Sequence, residues 1–181
     1  MRGVRTLWQR ARRQDGYSLV ELLATLSILA LVMGGLTQVF TAGLRAETEI
    51  AVRHNAQAEA RGALSYLRRE VHCANALTVV SSASIRLTLP AGCPTGSGDV
   101  SWCTIGSGSR WVLYRKPGAT CDSTGKQMAD FITAQAVFAY AVTPGQLAKL
   151  RVDFPVDVDT RDSKAAYRLQ DDLVLRNTVR S

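Results

Sequence analysis

From Leu22 to Leu44 the chain runs for 23 residues without a charged side chain. As a helix, such a stretch is about 34 Å long, against about 30 Å for the hydrocarbon core of a bilayer. A segment this apolar must lie in a membrane or be surrounded by other apolar helices. Arginines precede it and mixed charges follow it. By the positive-inside rule this predicts a single span with the N-terminus in and the C-terminus out.

Helical patterning continues past the apolar run. Arg45 to Val71 is rich in Ala, Glu, Gln and Arg, with no proline and one glycine, Gly62. Ile50, Ala60, Leu64, Leu67 and Val71 recur at helical spacing, while Glu47, Arg53, Glu59, Arg61 and Arg68 occupy the other faces. We therefore expect one long helix over 18–73, apolar throughout in its first half and amphipathic in its second. A helix that long far exceeds the roughly 10–14 residues usual in globular domains.

From Ala76 onward the pattern changes to short runs in which β-forming residues alternate with polar ones. Strands are predicted over 76–80, 84–89, 100–105, 111–115, 131–140, 147–154 and 167–175. Turn chemistry separates several of them: 91–98 (Ala-Gly-Cys-Pro-Thr-Gly-Ser-Gly), 106–109, 116–118 and 143–145. Hairpins joined this way make an antiparallel sheet, one face of which can pack on the helix stripe around Leu64, Leu67 and Val71. The expected fold class is α+β. The expected organisation is a basic leader (1–16), an apolar helix (17–44), an amphipathic continuation (45–75) and a β-rich head (76–181).

Charge distribution narrows the function. The chain carries a formal +7, which alone would point to nucleic acid or an anionic membrane surface. Residues 1–16, with Arg2, Arg5, Arg10, Arg12 and Arg13 against Asp15, supply +4 of it. The basicity sits mainly in the leader.

The junction Gly16-Tyr17-Ser18-Leu19-Val20-Glu21-Leu22-Leu23 carries the chemistry. An ordinary secretory signal places its small-residue cleavage site after the apolar stretch. Here the small residue and the charged leader lie before it, so a cut at Gly16 would leave the apolar helix as the new N-terminus. These residues resemble the prepilin signature of type IV pilins and type II secretion pseudopilins: a basic leader ending in Gly, an aromatic residue, a small polar residue, two aliphatics, Glu and a long apolar helix. The resemblance implies a pilin-like fold. It also implies cleavage between Gly16 and Tyr17 by a membrane aspartyl prepilin peptidase, with N-methylation of Tyr17. Its partners would be other pilin or pseudopilin subunits and an inner-membrane assembly platform, and its locations the bacterial inner membrane and then a filament. Family members more often have Phe where this chain has Tyr17, and many major pilins have a proline in the region 17–44, which here has none. Gly34-Gly35 instead offers small residues at a packing surface.

Glu21 is costly in such a helix, with an acid at the helix centre worth about 2.5–3.5 kcal/mol on insertion scales. Cleavage at Gly16 would create an amine one helical turn upstream. In the family this Glu is thought to neutralise the amine of a neighbouring subunit, which fixes the axial offset between helices. The alternative is a solvated Glu at headgroup level. The long Cys-rich loops and the sequence Leu169-Gln-Asp-Asp-Leu-Val-Leu-Arg-Asn resemble minor pilins and pseudopilins of the W/J-like kind.

Four cysteines, Cys73, Cys93, Cys103 and Cys121, fit two disulfides in an oxidising compartment. Three pairings are open. Tying Cys73, at the helix end, to a sheet loop would lock helix to head. Their spacings lack the close pairs of zinc motifs, so no metal is expected. No cofactor is implied, and with two histidines and no nucleophile or phosphate-binding motif the chain is not expected to be an enzyme. Asp153, Asp157, Asp159, Asp162, Asp171 and Asp172 could hold calcium but read better as a solvated loop and strand edge. Trp102, Trp111 and Tyr114 beside Arg110, Arg115 and Lys116 could stack on single-stranded DNA, though aromatics in strands more often pack in cores. The competing reading of the whole is an uncleaved single-pass membrane protein whose exported head binds a ligand or DNA.

Overall fold

The computed structural model describes residues 18–142, 147–159 and 166–176. Two compact units divide at Thr48/Glu49. Helix α1, Leu19–Cys73, begins in the first and ends in the second. The described part of the first unit is helical from Leu19 onward. Its large apolar side chains are exposed, from Leu19 at 75% to Leu44 at 48%.

The second unit packs the last third of α1 on an antiparallel sheet. Ala56, Ala60, Ala63, Leu64, Leu67, Glu70 and Val71 are buried, the three- and four-residue spacing of one helix face. Five of the seven are Leu or Ala of high helix propensity, so the helix both forms readily and approaches its partner closely. Ile50, expected on this stripe, is instead 67% exposed. The buried face starts one and a half turns later.

Among the described residues the sheet has eight strands: β1 Ala76–Ser81, β2 Ser84–Leu89, β3 Gly98–Ser107, β4 Arg110–Pro117, β5 Lys126–Ile132, β6 Phe138–Ala141, β7 Lys149–Val156 and β8 Tyr167–Val174. The strand order is β1-β2-β3-β4-β5-β7-β6, with β8 also paired to β7. Strands β1 to β5 form a meander. β6, β7 and β8 form a second antiparallel group, joined to it through the pair Ile132↔Val156. Alternation along the strands sends Ile85, Leu87, Leu89, Val100, Trp102, Leu113, Leu150, Val152 and Phe154 into the core. Each such side chain contributes roughly 1.5–3 kcal/mol on burial.

The strand expected over 131–140 is two strands. Phe131 takes a left-handed backbone conformation, φ 59°, one residue before β5 ends at Ile132, and the chain then crosses to start β6 at Phe138. The Asp130 carboxylate accepts the Phe131 amide at 2.6 Å, and Arg110 lies over the Phe131 ring at 4.2 Å. The early part of β5, Lys126-Gln-Met-Ala-Asp, lacks β-branched and aromatic residues and pairs because β4 presents an open edge to it. At the β3–β4 hairpin, a Cβ on Gly106 would come within 2.3 Å of the Arg110 carbonyl oxygen, so only glycine fits that backbone approach.

Candidate functional site: the apolar helix and its anchorage

Gly16 and Tyr17 lie outside the described residues. The Ser18 carbonyl accepts the Leu22 amide at 3.1 Å, and Glu21 sits in the first turn of α1, where a carboxylate faces the positive end of the helix dipole. The hydroxyls of the apolar stretch are turned back on the helix. Thr25 donates to the Leu22 carbonyl, Ser27 to Leu23, Thr37 to Met33 and Thr41 to Thr37, at 2.8–3.0 Å. Each of these hydroxyls is thereby satisfied within its own turn. The outer surface is left to Leu, Ile, Val, Met and Phe, as a lipid phase or an apolar bundle requires. The helix has the length and composition to cross a membrane. Gly34 and Gly35 are helical and have nothing within 4 Å of a built Cβ.

At its other end α1 is held by a buried polar node. Glu70 is 0% exposed. One carboxylate oxygen accepts the Trp102 indole N–H at 2.7 Å. The other accepts Nε and Nη2 of Arg115 at 2.9 and 2.6 Å. The Arg115 guanidinium lies over the Tyr66 ring at 5.2 Å and also donates to the Thr95 carbonyl at 3.3 Å. A carboxylate this deep is tolerable only with its lone pairs answered; here donors on β3 and β4 answer it, and the 90–97 loop in turn accepts from Arg115.

Disulfides fix the same junction. Cys73, the last residue of α1, pairs with Cys93 in the β2–β3 loop, Cα atoms 6.0 Å apart. Cys103 on β3 pairs with Cys121 in the β4–β5 loop. That loop folds over the outer face of the sheet: Arg86 and Ser101 donate to the carbonyls of Ala119 and Gly118. Edge contacts complete the anchorage, with Arg68 on Asp171 at 2.5 Å and Arg61 Nε donating to the Tyr167 hydroxyl at 3.2 Å.

Asp153, Asp171 and Asp172 are dispersed into ion pairs, and the Asp157 carboxylate accepts the Asp159 amide at 3.0 Å. Asp171 faces Arg68, Asp172 faces Arg151 at 2.9 Å, and Asp153 accepts Arg168 Nε at 2.9 Å and the Gln170 amide. The hydrogen bond from Arg168 holds the Asp153 carboxyl below the usual range, and Arg151 does the same to Asp172. Asp162 lies outside the described residues. Among the described residues no group of three or more His, Cys, Asp or Glu gathers as a metal site. The aromatic set does not form a stacking platform. Trp102 is fully buried against Glu70, Arg115 points inward with it, and Trp111 donates its indole N–H to the Gly108 carbonyl. The node itself was not foreseen, because Glu70 sits in a run of charged residues that reads as a solvated face. Its place on the stripe of Leu67 and Val71 is the signal that could have marked it.

Comparison with known families gives one finding: residues 11–37 match the prokaryotic N-terminal methylation motif. Neither curated proteins nor solved structures yield a match. The match spans the leader end, Gly16-Tyr17, Glu21 and the first five turns of the exposed helix. Taken with that helix and the antiparallel sheet behind it, the chain carries the methylation motif of the type IV pilin-like proteins on an α+β arrangement consistent with the pilin fold.

Proposed function

We propose that this protein is a structural subunit, a minor pilin or pseudopilin, of a type IV pilus, type II secretion or competence filament. The observation that carries the reading is the methylation motif at 11–37, which runs into a helix whose large apolar side chains over 19–44 are all exposed. Prepilin peptidase cuts after Gly16, and Tyr17 becomes the methylated terminus. Before assembly the subunit spans the inner membrane once, N-terminus in and head out. The assembly platform then extracts the helix into a bundle of like helices. The Glu21 carboxylate answers the terminal amine of a neighbouring subunit, because any other register would leave a charge in an apolar bundle. The role is structural, without catalysis. The W/J-like character of the loops supports a minor, tip-priming subunit over an abundant one.

Glu21→Ala tests the pairing. Expressed with the prepilin peptidase, it should be shortened like the wild type yet be depleted from sheared filaments. Normal incorporation would remove the pairing role. Failure of the peptidase to shorten even the wild type would remove the prepilin reading.

A further inference from the structure

Among the described residues outside α1, the large apolar side chains exposed on the head are Val79, Val80, Tyr140 and Val142. All lie on or beside two strands, β1 and β6, that end the strand order. The two strands come together at the β1–β2 turn, where the Ser82 carbonyl accepts the amides of both Val137 and Phe138, at 3.0 and 2.9 Å. The sequence is uncharged over 73–85 and again over 131–142. Elsewhere the head surface is laced with Arg–Asp pairs. Among the described residues β1 pairs on one side only, with β2, which is the position of an edge strand. Soluble proteins usually guard such an edge with Lys, Pro, an inward charge or a bulge; β1 has none of the first three, and its register irregularity between Val79 and Ser81 still leaves Val79 and Val80 exposed.

We propose that β1 is an acceptor edge for a strand from the head of a neighbouring prepilin-type subunit of different sequence, as a minor subunit's neighbours would be, with Tyr140 and Val142 extending the contact. This rests on the filament reading above. The occupant's chemistry follows from the edge: an extended, uncharged, β-branched segment, since a charged strand would lose solvent with nothing to answer it. A six-residue edge is about 20 Å long and too small to hold two free proteins together. Subunits already tethered side by side by their helices need no more, because the heads meet at high effective concentration.

The test uses the full chain in its native membrane with a photo-crosslinking amino acid at Val80 or Tyr140, and at Lys126 as a control. Irradiated filaments should give Val80 and Tyr140 adducts to a neutral, strand-forming peptide of another prepilin-type subunit, and none from Lys126. Val80→Lys should lower filament incorporation about tenfold, with leader removal and both disulfides intact. Val80→Thr, which keeps β propensity and neutrality, should restore it. If wild type incorporates but Val80 crosslinks only lipid, a second copy of this chain or nothing, or if Val80→Lys incorporates normally, the edge proposal is overturned and the filament reading stands. If wild type never enters filaments, both fall.

Discussion

Residues 19–44 and 56–71 belong to one helix, yet they face opposite problems. In the first stretch every large apolar side chain is exposed, and its hydroxyls bond to its own carbonyls. In the second, the apolar stripe is buried, a carboxylate lies at full depth, and a disulfide closes the end. The backbone is satisfied identically in both. The difference lies in where the side-chain partners come from: another molecule or a membrane for the first half, this chain's own sheet for the second. Stability of the head and competence to assemble are therefore separable by mutation.

The largest expected effect tests the second half. Glu70→Ala leaves Arg115 buried without its partner and the Trp102 N–H unanswered, a loss of about 3–5 kcal/mol in head stability. Urea denaturation of the detergent-solubilised protein, followed by tryptophan fluorescence, measures it. A change under 1 kcal/mol would mean that the node does not hold helix to sheet.

A matched pair sharpens the contrast directly. Leu67→Ala opens a cavity at a fully buried site and should cost about 2–5 kcal/mol. Leu29→Ala, at a 51% exposed site, should leave the head's unfolding midpoint unchanged. Equal effects would erase the distinction between the halves. Replacing Cys73 and Cys93 together by Ala should cost about 2–4 kcal/mol by the same assay, with the Cys103–Cys121 link still detectable on non-reducing gels.

The smallest effect is acid sensitivity. The Arg110 hydrogen bond lowers the Asp130 carboxyl, and Arg168 lowers Asp153. Lys116 and Thr124 bring Asp122 to about 2. A depressed folded value means that the stabilisation is present above the unfolded carboxyl value, about 3.9, and is lost as pH falls through the folded one. A pH series should therefore show the unfolding midpoint falling between about 4 and 2. Arg110→Gln should flatten part of that fall.

Much of this contrast is legible in the sequence because each half is written in composition. Twenty-three uncharged residues can form little but an apolar helix, and the Gly16-Tyr17 junction just before it lies within the methylation motif. The alternating runs at 84–89 and 147–154 reappear as β2 and β7 with small shifts of boundary. What stayed hidden depends on contacts distant in sequence. Phe131 adopts its left-handed conformation where β5 hands over to β7, a junction no local pattern announces. Glu70 looks like one more charge on a charged helix until Trp102 and Arg115, 32 and 45 residues on, close around it. Exposure of β1 likewise emerges only once the strand order leaves it at an edge.

The most direct measurement is the mass of the N-terminal peptide of the protein isolated from its native membrane or filament. The expected species begins at Tyr17 and carries one added methyl group on its amine, with residues 1–16 gone. A peptide beginning at Met1, or one beginning beyond Leu44, would contradict a helix made to serve as the assembling N-terminus.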